Sequence, residues 1–139
     1  SVSTVARENN PGKASAVFFT TAGEAQLVYR EALKDRLMLA RQAAEGWTAE
    51  VLVEDAYNMA LAADATGNLV VGYEELSGTD PRKGRMRLAW RKDGRWTNML
   101  IDDSPGSGLF LDVAFTTAAR PAVAYYDESG KKLKLFIGE

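Results

Sequence analysis

The 139-residue chain contains no cysteine and no histidine. Without cysteine it has no disulfide framework and no thiol nucleophile. Without histidine it lacks the commonest general base and the commonest metal ligand. Catalytic triads, zinc sites and cysteine nucleophiles are thereby excluded, and no cofactor is expected. Excess charge is also lacking. The 17 Lys and Arg against 19 Asp and Glu leave a net charge of −2, which gives no reason to expect nucleic acid or an acidic membrane as partner. No apolar run approaches the roughly 20 residues of a membrane span, so membrane insertion is not expected. The chain opens on Ser1 rather than Met, for which a cleaved signal peptide and a trimmed chain both fit. With 46% hydrophobic and 26% charged residues, the chain suits one modest folded domain rather than a disordered segment.

What is present is repetition. Residues 23–31 (GEAQLVYRE), 67–75 (GNLVVGYEE) and 119–127 (ARPAVAYYD) share one pattern. Each is followed by a basic alternating segment, at residues 36–41, 85–91 and 132–137. Two matching elements lie between, Gly46-Trp47-Thr48 and Arg95-Trp96-Thr97, with Trp47 and Trp96 spaced by 49 residues. A period in the forties with several strands per unit is the signature of a β-propeller blade.

Within one unit the turn signals are frequent and the segments alternate, which reads as antiparallel strand. In residues 85–91, Met86, Leu88 and Trp90 share one face and Arg85, Arg87, Ala89 and Arg91 the other. Lys92-Asp93-Gly94-Arg95 reads as a hairpin turn. Residues 25–44 have high helix propensity, but two aligned copies carry strand and turn chemistry, so strand is expected there, with a bulge over residues 40–45 left open.

The expected fold is all-β, a β-propeller with three four-stranded blades per chain. Residues 14–55 and 56–103 form two blades, residues 108–139 an incomplete third, and residues 1–9 the outer strand of a neighbouring blade. Blades are stable only with both faces covered, and closed propellers have about four to eight of them. Two copies around a twofold axis would close a six-bladed ring, a homodimer with exchanged N-terminal strands. The alternative is that the chain belongs to the remainder of a larger propeller.

The segments GNLVVGYEE, ARPAVAYYDES and KDGRWT resemble bacterial propeller repeats, in which a Gly-Asn turn, a Tyr-Tyr-Asp strand, a basic strand and an Asp-Gly-x-Trp hairpin recur. The resemblance covers almost the whole chain, its first copy being degenerate. It implies fold rather than function and suggests an extracytoplasmic bacterial setting. Asp93-Gly94-Arg95-Trp96 is distantly similar to the Asp-box hairpin of sialidase-like propellers but lacks its leading Ser. Six-bladed fucose lectins share the Tyr-Tyr strand and the Gly-Trp hairpin. Where their sugar site has Arg and Glu, this chain has Ala124 and Gly72, then Leu135 and Leu88.

Candidate ligand-binding residues are Tyr57, Glu75, Asp80, Arg82, Trp90 and Asp127. Glu75 and Asp127, with Glu31, recur at one repeat position near the expected channel mouth, where carboxylates attract cations or accept hydrogen bonds from the following turn. Trp90 breaks the repeat and can stack on a sugar or pack in the core. Asp80 and Arg82 lie in the long loop of residues 76–84, on a face shared with Tyr57 in the loop of residues 55–58. The expected function is a non-enzymatic binding or scaffold protein recognising a protein or glycan through that loop face. The rival is a fragment of a propeller hydrolase, lyase or lectin, with Glu75 and Asp127 as acid/base candidates.

Overall fold

A computed structural model describes residues 1–78, 80 and 83–139. It is all-β, with eleven strands among the described residues: β1 (Pro11–Phe19), β2 (Ala25–Glu31), β3 (Arg36–Ala43), β4 (Gly46–Val53), β5 (Ala56–Ala63), β6 (Leu69–Glu75), β7 (Arg85–Lys92), β8 (Arg95–Asp102), β9 (Ser107–Phe115), β10 (Pro121–Asp127) and β11 (Lys132–Ile137). They form three antiparallel meanders, β1-β2-β3-β4, β5-β6-β7-β8 and β9-β10-β11.

The helix-prone segment of the first repeat is strand. β2 and β3 pair without a break from Gln26 opposite Arg41 to Glu31 opposite Arg36. Burial decides this over propensity, because alternation places Val28, Leu37, Leu39 and Ala40 in fully buried positions. No bulge occurs over residues 40–45; the irregularity lies between Leu37 and Met38 on the β4 side. The β7–β8 hairpin turns on Asp93 and Gly94, whose φ angles of 50° and 78° are both left-handed, as a type I′ turn requires. At that same end, Asp64 accepts from the backbone N–H of Thr66 and of Asn68, and Asn68 accepts from the Asp93 N–H at 3.1 Å.

The sheets stack in chain order, and one rule governs both junctions. The face of sheet one carrying Val28, Leu37 and Leu39 packs on the face of sheet two carrying Leu69, Val71, Tyr73 and Ala89. The other face of sheet two, with Val70, Met86 and Leu88, packs on Val113, Val123 and Tyr125 of sheet three. Burying each such aliphatic side chain is worth about 1.5–3 kcal/mol. Gly72 permits the second junction, since a Cβ there would come within 2.7 Å of Val113 Cγ1 and 2.8 Å of Leu111 Cδ1.

Among the described residues, nothing packs on the outer face of sheet three. Leu133, Leu135 and Ile137 are 81%, 66% and 48% exposed. Register makes them the equivalents of Met86, Leu88 and Trp90 in sheet two, since Leu135 faces Ala124 as Leu88 faces Gly72. Sheet three also stops at β11, which leaves the far edge of that strand without a neighbour among the described residues.

The N-terminal segment, expected as a strand, belongs to no strand within the chain; the first strand begins at Pro11. Its ladder donors and acceptors have no sheet edge beside them here, because sheet one is already complete from β1 to β4. Instead Val5 and Ala6 lie on the free face of sheet one, against Tyr29, Met38 and Ala40.

Candidate functional site

The loop end of the molecule gathers four of the six candidates. Tyr57 stands at the start of β5, Glu75 and Asp127 at the ends of β6 and β10, and Asp80 in the connection from β6 to β7. Arg82 lies outside the described residues. Tyr57 is on a strand rather than in a loop, because Ala56 already pairs with Glu75 and donates its N–H to the Asp35 carbonyl at 2.7 Å. Its ring carries the Arg30 guanidinium 4.6 Å above the centroid, and Arg30 is in turn ion-paired to Asp35.

The repeated carboxylates each meet a cation from the next strand. Glu31 lies 2.7 Å from Arg36, Glu75 lies 2.6 Å from Arg85 and 2.9 Å from Arg87, and Asp127 lies 2.8 Å from Lys134. Asp127 also accepts from Ser129 and from the Gly130 N–H. Lys134 and these hydrogen bonds hold its pKa down to about 2. The basic strand that made the repeat recognisable therefore serves to neutralise the acidic position before it.

Two chains of charge converge on the end of β8. Arg85 bridges Glu75 to Asp103, and Lys134 bridges Asp127 to Asp102. Asp102 is held well below the usual carboxylate range by hydrogen bonds from Lys134, Ser104 and Tyr125, which outweigh its burial. Glu75 and Asp127, the acid/base candidates, are thus both engaged in ion pairs across strands.

Trp90 is at the opposite end, where β7 runs into the Asp93-Gly94 turn. It is half-buried and packs beside Val70, Met86 and Leu88, with the Lys92 ammonium 5.4 Å from its ring centroid. It is therefore separated from the other candidates by the length of the strand.

Sequence reasoning missed Glu74. This carboxylate is fully buried; Asn58 donates to its Oε2 at 2.8 Å, while Oε1 has no hydrogen bond. Burial, together with the nearby charge of Asp80, pushes its pKa up to about 7 despite the Asn58 bond. A Cβ at Gly84 would collide with it, so glycine there is what lets the backbone pass this close to the side chain. Strand alternation places Glu74 on the face of Val70 and Gly72, but its burial comes from residues elsewhere in the chain, Asn58, Gly84 and Gly108.

A second missed feature is a groove of about 310 Å³ between the outer strands of sheets one and two. One wall is β4 from Glu50 to Val53, the other is β8 from Trp96 to Asn98, and Ala89 forms the floor. Glu50 is ion-paired to Arg41 at 2.8 Å. Asn98 donates to the Tyr73 hydroxyl at 2.6 Å and accepts from Arg87 at 3.3 Å. The Arg91 guanidinium lies 5.6 Å from the Trp96 ring centroid and 5.9 Å from that of Phe18.

No helix among the described residues is long and apolar enough to cross a membrane, and no cluster of three or more metal-ligating side chains occurs among them. No family model and no curated protein matches the chain.

Proposed function

We propose that this chain is half of a six-bladed β-propeller, a non-enzymatic binding or scaffold module whose ring closes when two copies exchange N-terminal strands. The observation that carries this reading is the place of residues 4–10. Val5 and Ala6 pack against the cluster of Tyr29, Met38 and Ala40, and the β4 residues Leu52 and Val53 pack against the cluster that holds the equivalent Tyr73 and Ala89. Asn10 accepts from the Ala32 N–H and Asn9 from the Leu33 N–H, much as Asp55 accepts from the Leu76 N–H at 2.6 Å. Asn9 and Asn10, like Asp55, have a left-handed backbone, at φ 60°, 54° and 54°. The segment stands where the last strand of a preceding sheet would stand, and no other strand of such a sheet lies beside it among the described residues.

The third sheet of a second copy fits that vacancy. It has three strands among the described residues, and its apolar outer face has the residues that elsewhere meet the Tyr29-type face. Aligning residues 4–9 of the sequence with residues 50–55 would set Thr4 opposite Leu135 and Val5 opposite Lys134 of the other copy, as Glu50 faces Leu39 and Val51 faces Met38. Such pairing covers an otherwise aggregation-prone edge. A protein or glycan partner would then meet the loop end, where Tyr57 and Asp80 stand beside the paired carboxylates, in an extracytoplasmic setting.

The test is solution mass together with thermal unfolding at several concentrations. A mass twice that of the chain, and a melting midpoint that rises with concentration, are expected because assembly and folding are linked. Deleting residues 1–8 should abolish the dimer. A monomer with a concentration-independent midpoint would assign the chain to the remainder of a larger ring instead.

A further inference from the structure

We infer that the groove between β4 and β8 is a binding site for a single monosaccharide unit, with Trp96, Glu50 and Asn98 as the recognising groups. Set against the junction of sheets two and three, the groove is a gap in packing, although sheet one also has alanine, Ala40, at the repeat position of Ala89. At the junction of sheets two and three, the register positions equivalent to Glu50 and Ala89 are Met99 and Phe136, since Leu39 pairs Glu50 as Leu88 pairs Met99, and Val71 pairs Ala89 as Val123 pairs Phe136. Met99 and Phe136 both pack against the apolar cluster of that junction. At the first junction both large apolar groups are replaced, one by a small residue and one by a carboxylate. The space that opens is therefore polar on one side, which loss of packing alone does not explain.

The chemistry of the walls selects the ligand. At about 310 Å³ the groove is at the small end of ligand sites, too small for a peptide strand. Trp96 supplies an aromatic wall of the kind that takes the apolar face of a sugar ring, and Arg91 stacked beside it fixes the indole. Glu50 offers carboxylate oxygens to hydroxyl donors, while its Arg41 partner balances the charge and so removes the preference for a free cation. Asn98 is held by Tyr73 and Arg87 through one N–H and one lone pair. Its second N–H and second lone pair remain for a hydroxyl. An amide already oriented by two neighbours loses little freedom on binding. Both walls belong to one chain, so this site does not depend on ring closure and is separate from the loop end.

The experiment is an NMR titration of the full chain with a panel of methyl glycosides (glucose, galactose, mannose and N-acetylglucosamine), read at the Trp indole N–H signals. Concentrations up to about 50 mM cover the millimolar affinities usual for such small ligands. The Trp96 signal should shift while Trp47 and Trp90 stay still. Ala89→Phe, which restores the residue type found at Phe136, should abolish the shift, and Glu50→Gln should weaken binding about tenfold. Melting midpoints report folding of each variant, and Glu50→Gln, at an exposed position, serves if Ala89→Phe does not fold. No Trp96 shift with any glycoside, or an unchanged affinity in Glu50→Gln, would overturn the assignment. Sugar binding by a monomeric chain would keep it while removing the ring.

Discussion

Tyr125 donates its hydroxyl proton to Asp102 at 2.8 Å, tying the middle strand of the third sheet to the last residue of the second. Lys134 reaches the same carboxylate at 2.7 Å. The corresponding tyrosine one repeat earlier, Tyr73, instead accepts from Asn98 within its own sheet. The second junction is therefore fastened by charge as well as by apolar contact, and three consequences for stability can be measured.

Asp102→Ala removes the acceptor shared by Tyr125, Lys134 and the Ser104 N–H. It should cost on the order of 1–3 kcal/mol, the penalty for stranding hydrogen-bond donors. Asp102 and Asp127 are both depressed in the folded chain, so their contribution is complete above the ordinary carboxylate range. It is lost as pH falls through the depressed values. In urea titrations the deficit of the variant should be full at pH 7 and should shrink in acid.

Glu74 has the opposite sign. Its folded pKa of about 7 is above the ordinary glutamate value of about 4.5, so the folded state holds the proton more tightly and stability falls as pH rises between those values. Glu74→Gln removes the ionisation while keeping an acceptor for Asn58. The variant should be more stable than the parent above pH 7, by on the order of 1–2 kcal/mol, and should lose that part of the pH slope. Equal stability profiles of parent and variant would show that the carboxylate is not held in this way.

Gly72→Val should be poorly tolerated. Its added methyl groups meet Val113 and Leu111, which already stand inside contact distance of a Cβ, and overpacking of this kind costs about 1–3 kcal/mol. Gly94→Ala tests a different cost, since nothing lies within 4 Å of that position and its φ of 78° is the only obstacle. Denaturant midpoints of the two variants separate steric from backbone strain.

The strand exchange has a covalent test, made clean by the absence of cysteine. Under mild oxidation, Thr4→Cys combined with Leu135→Cys should give a covalent dimer on a non-reducing gel, because the proposed pairing brings these Cβ atoms within disulfide reach. Either single variant under the same conditions should give markedly less. A double variant that stays monomeric on the gel would remove the proposed register.

Much of the local structure follows from the amino-acid sequence alone. Repetition assigned strand to the helix-prone segment at β2 and β3, Asp93-Gly94 specified its own turn, and the alternation of β7 sorted Met86 and Leu88 from Arg85 and Arg87. These are short-range matters, decided by backbone sterics and by which side chains avoid water, and the same answer recurs in each repeat. Tertiary structure decided the rest. Glu74 looks like any strand-end acid until Asn58, Gly84 and Gly108 pack around it and withdraw its solvent. Tyr57 becomes a strand residue only because Asp35 and Glu75 pair with Ala56 before it. The groove exists because Ala89 and Glu50, 39 positions apart, face each other across two sheets where the next junction has Phe136 and Met99. Desolvation and cross-sheet volume depend on neighbours distant in the chain, so no local pattern contains them.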